Sequence, residues 1–157
     1  MASDLRYIGL YPNKSLTMNK LPDIPKCLYR HFIRGYFDGD GSIFSSSNSS
    51  YYRRYGLEKK YSYFTYTFSL LGTEPFLKEI AEIINSRYIK IRNTRTNEIK
   101  ELRVCAKCEA KKIYDFLYTD SSIYLKRKHD KWLQVLSAIA KWLVMKTVWI
   151  AGKALEP

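Results

Sequence analysis

Across 157 residues, a hydrophobic content of 46% and an aromatic content of 15% suffice for one buried core and exclude a disordered tail. Lys and Arg number 27 against 15 Asp and Glu, and a net charge of +12 turns the surface toward a polyanion, DNA or RNA ahead of a ribosome-like or membrane-surface role. No apolar run approaches membrane-spanning length and no signal-peptide pattern opens the chain, so a cytoplasmic protein without a membrane partner is expected.

Residues 1–24 carry a short apolar patch (Leu5, Ile8, Leu10), then Pro12-Asn13-Lys14-Ser15 and Leu21-Pro22-Asp23-Ile24-Pro25. They predict a short helix, a basic loop and an extended lead-in. A helix is expected over Pro25–Phe37, with Asp23 as its cap and Pro25 in its first turn. Gly35 inside it costs about 1 kcal/mol relative to Ala, tolerable where another backbone must come close. Asp38-Gly39-Asp40-Gly41 is turn chemistry that presents two carboxylates before Ser42-Ile43-Phe44 begins a strand. Taken alone, DGDG is equally an ordinary junction with solvated acids.

The run Ser42–Ser50 pairs with Tyr61–Leu71 as a long hairpin, with a loop expected between Asn48 and Lys60. Phe64, Tyr66, Phe68 and Leu70 alternate with Tyr63, Thr65, Thr67 and Ser69, the period of a half-buried strand. Thr73 is the expected cap of a helix to about Arg87, with Pro75 in its first turn and Phe76, Leu77, Ile80, Ile83 and Ile84 as its buried stripe. Tyr88–Arg92 and Ile99–Ala106 alternate as a second hairpin, turning over Asn93–Asn97, with Ile89, Ile91, Leu102 and Val104 inward. Helices follow over Glu109–Tyr118 and, after the capping cluster Thr119-Asp120-Ser121-Ser122, over Leu125 to about Ile150. Trp132, Leu133, Leu136, Ile139, Leu143 and Val144 are its apolar face.

The order predicts an α+β domain of αββαββα type over residues 25–150, with a linker-like segment 1–24 and a tail 151–157. One face of its four-stranded antiparallel sheet is backed by helices. The other carries Phe44, Ser46, Asn48 and Ser50, then Tyr63, Thr65, Thr67 and Ser69, then Lys90, Arg92 and Arg103. That face is either simply solvated or laid in a DNA groove, where alternate side chains of a ribbon read base edges. Cys27, Cys105 and Cys108 form no disulfide framework, and one CxxC without a second pair or nearby histidines is no zinc site; small semi-buried roles are expected. His31 and His129 lack the partners of a catalytic histidine.

Ile33-Arg34-Gly35-Tyr36-Phe37-Asp38-Gly39-Asp40-Gly41 resembles the nine-position signature of LAGLIDADG homing endonucleases, with Arg34 and Tyr36 departing from its consensus letters. The resemblance implies that signature helices of two domains pack together, here through Ile33, Gly35 and Tyr36, over the scissile phosphates of double-stranded DNA. It implies Asp40 as metal-binding and catalytic acid, the Gly39 carbonyl as companion ligand, and Asp38 as chiefly structural. Lys126 falls on the position of the family's lysine near the metals. The implied cofactor is Mg²⁺ or Mn²⁺, with Ca²⁺ binding without supporting cleavage. No long polar side chain occupies Ser69-Leu70-Leu71-Gly72, where many relatives order water. One signature per chain implies a homodimer on a long near-palindromic target, or the C-terminal half of a two-motif enzyme. A non-cleaving intron maturase or DNA-binding regulator on the same scaffold is the alternative. Host element, intron or intein, is not specified.

Overall fold

A computed structural model of the chain describes residues 2–7, 14–54, 56–96 and 98–153. Two short helices, α1 (Ala2–Tyr7) and α2 (Lys14–Thr17), precede a 3-10 turn, Lys26–Leu28. Ile8, Leu10, Pro12 and Asn13 of the expected apolar patch and basic loop lie outside the described residues. The helix expected from Pro25 begins later, as α3 (Tyr29–Asp40), and Asp23 does not cap it. It also runs further. Asp38, Gly39 and Asp40 form its last turn, and the chain becomes extended only at Gly41, with φ −74° and ψ 167°.

Strands β1 (Ser42–Arg54) and β2 (Leu57–Gly72) pair without a break from Ser42↔Ser69 to Arg54↔Leu57. The loop expected between Asn48 and Lys60 is therefore two more lengths of strand. Tyr51, Tyr52 and Tyr61 are β-forming residues, and Gly56 takes the left-handed conformation (φ 75°) that a tight reversal requires. Facing pairs extend to the tip, with the Lys60 ammonium 6.0 Å from the Tyr51 ring centroid and Arg53 4.0 Å from Glu58.

Helix α4 (Glu74–Ile84) stops short of Arg87 because Asn85 adopts φ 50°, a left-handed cap. Thr73 precedes it without a side-chain cap bond; its hydroxyl donates instead to the Met18 carbonyl at 2.5 Å and ties the lead-in to the body. Then come β3 (Lys90–Asn93), β4 (Lys100–Val104), α5 (Lys107–Tyr118) and α6 (Lys126–Lys153). The sheet is antiparallel, in the order β1-β2-β4-β3.

The helices cover one sheet face through Ile33 and Phe37 of α3, Phe76, Leu77 and Ile80 of α4, Ile113 and Leu117 of α5, and Trp132 and Val135 of α6. Phe37 stacks on Phe68 at 5.1 Å, with Trp132 against both. Each such side chain contributes about 1.5–3 kcal/mol by leaving water. Along α6 the buried stripe is Lys128, Trp132, Val135 and Ile139; Leu133, Leu143 and Val144, expected on it, are exposed because the helix turns them away. Beyond Tyr66 the hairpin projects past the helices, and Ser45, Ser47 and Ser49 are exposed even on the helix-side face. The three cysteines are exposed thiols rather than semi-buried ones. Among the described residues no helix is long and apolar enough to cross a membrane.

Candidate active site and nucleic-acid interface

The acidic end of α3 is held by a lysine ninety residues away in the chain. Lys128 is 6% exposed, and its ammonium donates to the carbonyls of Phe37 at 2.5 Å and Gly41 at 2.6 Å, with that of Gly39 at 3.4 Å. The Phe37 carbonyl also accepts the Gly41 N–H at 2.8 Å, the last bond of the helix, and a helix C-terminus leaves the carbonyls beyond it without intrahelical partners. One buried cation gathers them and reinforces the last turn, which runs to Asp40. Burial, followed by Arg127, lowers the Lys128 pKa, while Asp38 and Asp40 oppose that shift.

The two signature acids are unequal. Asp38 accepts the Tyr118 hydroxyl on one carboxylate oxygen at 3.0 Å and the Leu125 backbone N–H on the other at 2.8 Å. It joins α3, α5 and the lead into α6. Tyr118 is raised well above an ordinary phenol, first by burial and then by that carboxylate. Behind it, the Tyr114 hydroxyl lies 2.9 Å from His129 Nε2, and Tyr124 stacks on His129 at 4.3 Å. Asp40, by contrast, is exposed at the helix terminus, next to the exposed Gly39. Its charge adds to the burial that pushes Tyr36 up to about 12.

Lys126, expected beside Asp40, is engaged by Asp130 at 2.7 Å, and its side chain is 83% exposed. The lysine brought to the acidic end is Lys128. The sequence carried a signal for it: Lys128 lies four residues before Trp132, on the apolar stripe, where a solvated lysine does not belong.

The interface expected on α3 is also corrected. Ile33 is 0% and Tyr36 6% exposed, and the Tyr36 hydroxyl donates to the Leu71 carbonyl at 2.7 Å, so both serve their own core. Gly35 does lie on the open side, with His31 and Gly39, and a Cβ added at Gly35 or Gly39 would meet nothing within 4 Å. Arg34, which departs from the signature consensus, is buried and donates to the Leu117 carbonyl at 3.1 Å, while Arg30 donates to the Thr119 carbonyl. Two guanidinium groups thus close the C-terminal end of α5.

The outward sheet face gathers all of its expected members. Phe44, Ser46, Asn48 and Ser50 face Thr67, Thr65, Tyr63 and Tyr61, and Ser69 faces Arg103, which faces Lys90. Arg92, opposite Glu101, lies on the same side. Thr67 and Ser69 are buried all the same, being covered by their neighbours in the row. Ser46 and Thr65 hydroxyls share a hydrogen bond at 2.8 Å, Asn48 donates to Thr65 at 2.9 Å, and Arg103 donates to Thr67 at 3.0 Å. Polar groups are therefore pre-oriented before any ligand arrives. Tyr88, Lys90, Arg92, Arg103, Cys105 and Ala106 line a recess of about 180 Å³ on this side. Cys105, not expected there, lies 3.5 Å from the Thr67 hydroxyl.

Among the described residues no group of three or more His, Cys, Asp or Glu could hold a metal ion. Asp40 and the Gly39 carbonyl nonetheless offer hard oxygen donors at an exposed site. That donor set suits Mg²⁺, which takes one or two carboxylates and keeps several waters.

A family model for the LAGLIDADG endonuclease matches residues 33–136. Solved structures share the fold. The homing endonuclease I-CvuI, in complex with its target in the presence of calcium, is 20% identical with a TM-score of 0.54, over 76% of this chain and 70% of that one. The intron-encoded I-CeuI, complexed with DNA, is 11% identical with a TM-score of 0.59, over 88% and 61%. The meganuclease I-SmaMI, bound to uncleavable DNA, is 15% identical with a TM-score of 0.58; the match covers 76% of this chain but 39% of that one. A search of curated protein sequences finds no match. With the signature on α3, the αββαββα order and a family match spanning residues 33–136, well over half of its length, the chain belongs to the LAGLIDADG endonuclease family.

Proposed function

We propose that the chain is a site-specific, metal-dependent DNA endonuclease that hydrolyses phosphodiester bonds as a homodimer on a long, near-palindromic duplex. The observation that carries this is the open edge of α3. Gly35 and Gly39 leave room for a second helix, and Asp40 ends that edge as an exposed carboxylate. One subunit supplies one such acid. A second copy across the glycines would bring another beside it.

Asp40 and the Gly39 carbonyl would hold Mg²⁺ or Mn²⁺. Bound there, the ion supplies Lewis-acid stabilisation of phosphodiester oxygens and an activated water; Ca²⁺ would occupy the site without supporting cleavage. Lys128 positions Gly39 by holding the carbonyls on either side of it, and Asp38 fixes α3 against α5 and α6. The outward rows from Phe44 to Arg103 supply readout of the bases.

In a plasmid-cleavage assay against a target selected from a randomised library, Asp40→Asn should abolish cutting while gel-shift affinity survives. Undiminished cleavage would remove Asp40 from the site. Binding without cutting by the unaltered protein, with Mg²⁺ present, would reassign the chain as a maturase-like or regulatory binding protein.

A further inference from the structure

Beside the acidic end, Gly41, Ser42, Ile43, Arg127, Lys128 and Lys131 line a recess of about 280 Å³. Ser42 begins the outward row of β1, so the recess joins the acidic turn to the sheet face. Three cations border it. The ammonium of Lys128 is committed to backbone carbonyls and has no proton to spare. Arg127 and Lys131 differ: among the described residues neither has an ion-pair or hydrogen-bond partner.

Three other lysines on this chain's helices are paired. Lys78 is paired with Glu74 at 2.7 Å, Lys111 with Asp115 at 2.6 Å and Lys126 with Asp130 at 2.7 Å, each four residues apart. Arg127 and Lys131 are also four residues apart, but as like charges, a spacing that destabilises a helix. The one acid within reach of Arg127 along the helix, Asp130, has its oxygens turned to Lys126 and His129. Two unpaired cations therefore repel each other, and Arg127 also repels Lys128, at the wall of a concave site.

We infer that this recess binds a phosphodiester group of the DNA backbone next to the one cut at Asp40, with Arg127 and Lys131 as the anion-binding residues. The inference rests on the DNA-binding reading given above. Such contacts place a duplex without reading its sequence. They also enter affinity through counterion release, which separates them from the base-reading rows.

The test measures equilibrium binding of the full chain to target and scrambled duplexes across a salt series, without divalent metal. For Arg127→Gln and Lys131→Gln, affinity should fall several-fold on both duplexes. The slope of log affinity against log salt should become shallower by about 0.9 per cation removed. Lys78→Gln, with the same change of net charge, should keep the wild-type slope. Both recess variants should melt no lower than the wild type, since they relieve repulsion. A wild-type slope in the two variants, or a loss confined to the target duplex, overturns the proposal while the DNA-binding reading stands. A wild-type protein that binds neither duplex overturns both.

Discussion

Lys128 is where local sequence and tertiary position part company. Lys126-Arg127-Lys128 reads as a solvated basic run, yet one of its members is buried and closes a helix that ends 88 residues earlier. Methionine at that position would fill the same space but leave the Gly41 carbonyl without the ammonium and the Phe37 carbonyl with the Gly41 N–H alone, at about 1–3 kcal/mol for a group stranded. Lys128→Met should therefore lower the denaturation midpoint and abolish cleavage, whereas Lys126→Met, which removes an exposed ion pair, should cut DNA like the wild type. Chemical denaturation and plasmid cleavage on the two variants check this. Equal loss in both would return Lys126 to the site.

At the scale of elements, two glycines of the signature region carry opposite predictions. A Cβ at Gly41 would lie 2.3 Å from the Phe37 ring and 2.7–2.8 Å from Phe37 backbone atoms, so Gly41→Ala should destabilise the fold by about 1–3 kcal/mol. A Cβ at Gly35 meets open space on a helix, so Gly35→Ala should stabilise the isolated subunit by up to about 1 kcal/mol. The same methyl group would hold a second α3 away. Sedimentation of Gly35→Ala should show a weaker dimer together with a higher melting temperature; an unchanged dimer would move the interface elsewhere.

These elements also show what the sequence could reveal. Alternation placed every residue of Tyr63–Ser69 on its observed face, because a two-residue period needs no distant partner. The ends of α3 were misjudged because both depend on distant groups. Its start follows a 3-10 turn over Lys26–Leu28, and its last turn is held from outside by a lysine on α6. Ile33 and Tyr36 were placed at the dimer interface by signature position alone; the phase of the helix against its own sheet decides otherwise. Asp40 and Asp38 were separable in advance only by resemblance. The structure supplies a physical ground, two hydrogen-bond partners that tie Asp38 to α5 and α6 and an exposed position for Asp40.

For the whole molecule, buried phenols set the alkaline limit. Burial holds the Tyr36 proton to about 12 and raises Tyr66 and Tyr118 further. In the unfolded chain tyrosine titrates at about 10. Above that pH the folded state binds more protons than the unfolded one, so stability declines as pH rises toward and through the folded values. Lys128 has the opposite sign, since its lowered pKa makes the fold gain as pH rises toward the ordinary lysine range. Three phenols outweigh one ammonium. Denaturation midpoints should fall between about pH 10 and 12, and a flat profile across that window would contradict the burial of these hydroxyls.

The length of the first hairpin has a consequence for how much duplex one subunit can measure. β1 spans 13 residues and β2 spans 16, and the outward rows continue past the helices that support the body. A strand advances about 3.4 Å per residue, and B-form DNA about 3.4 Å per base pair. The two lattices are commensurate: outward side chains recur at about 6.8 Å, the spacing of alternate base pairs. A duplex lying along the hairpin would thus meet Phe44, Ser46, Asn48 and Ser50 at the axial spacing of alternate base pairs. On the proposed function, the hairpin would serve as a ruler graduated in pairs of bases, with the zero mark at Asp40.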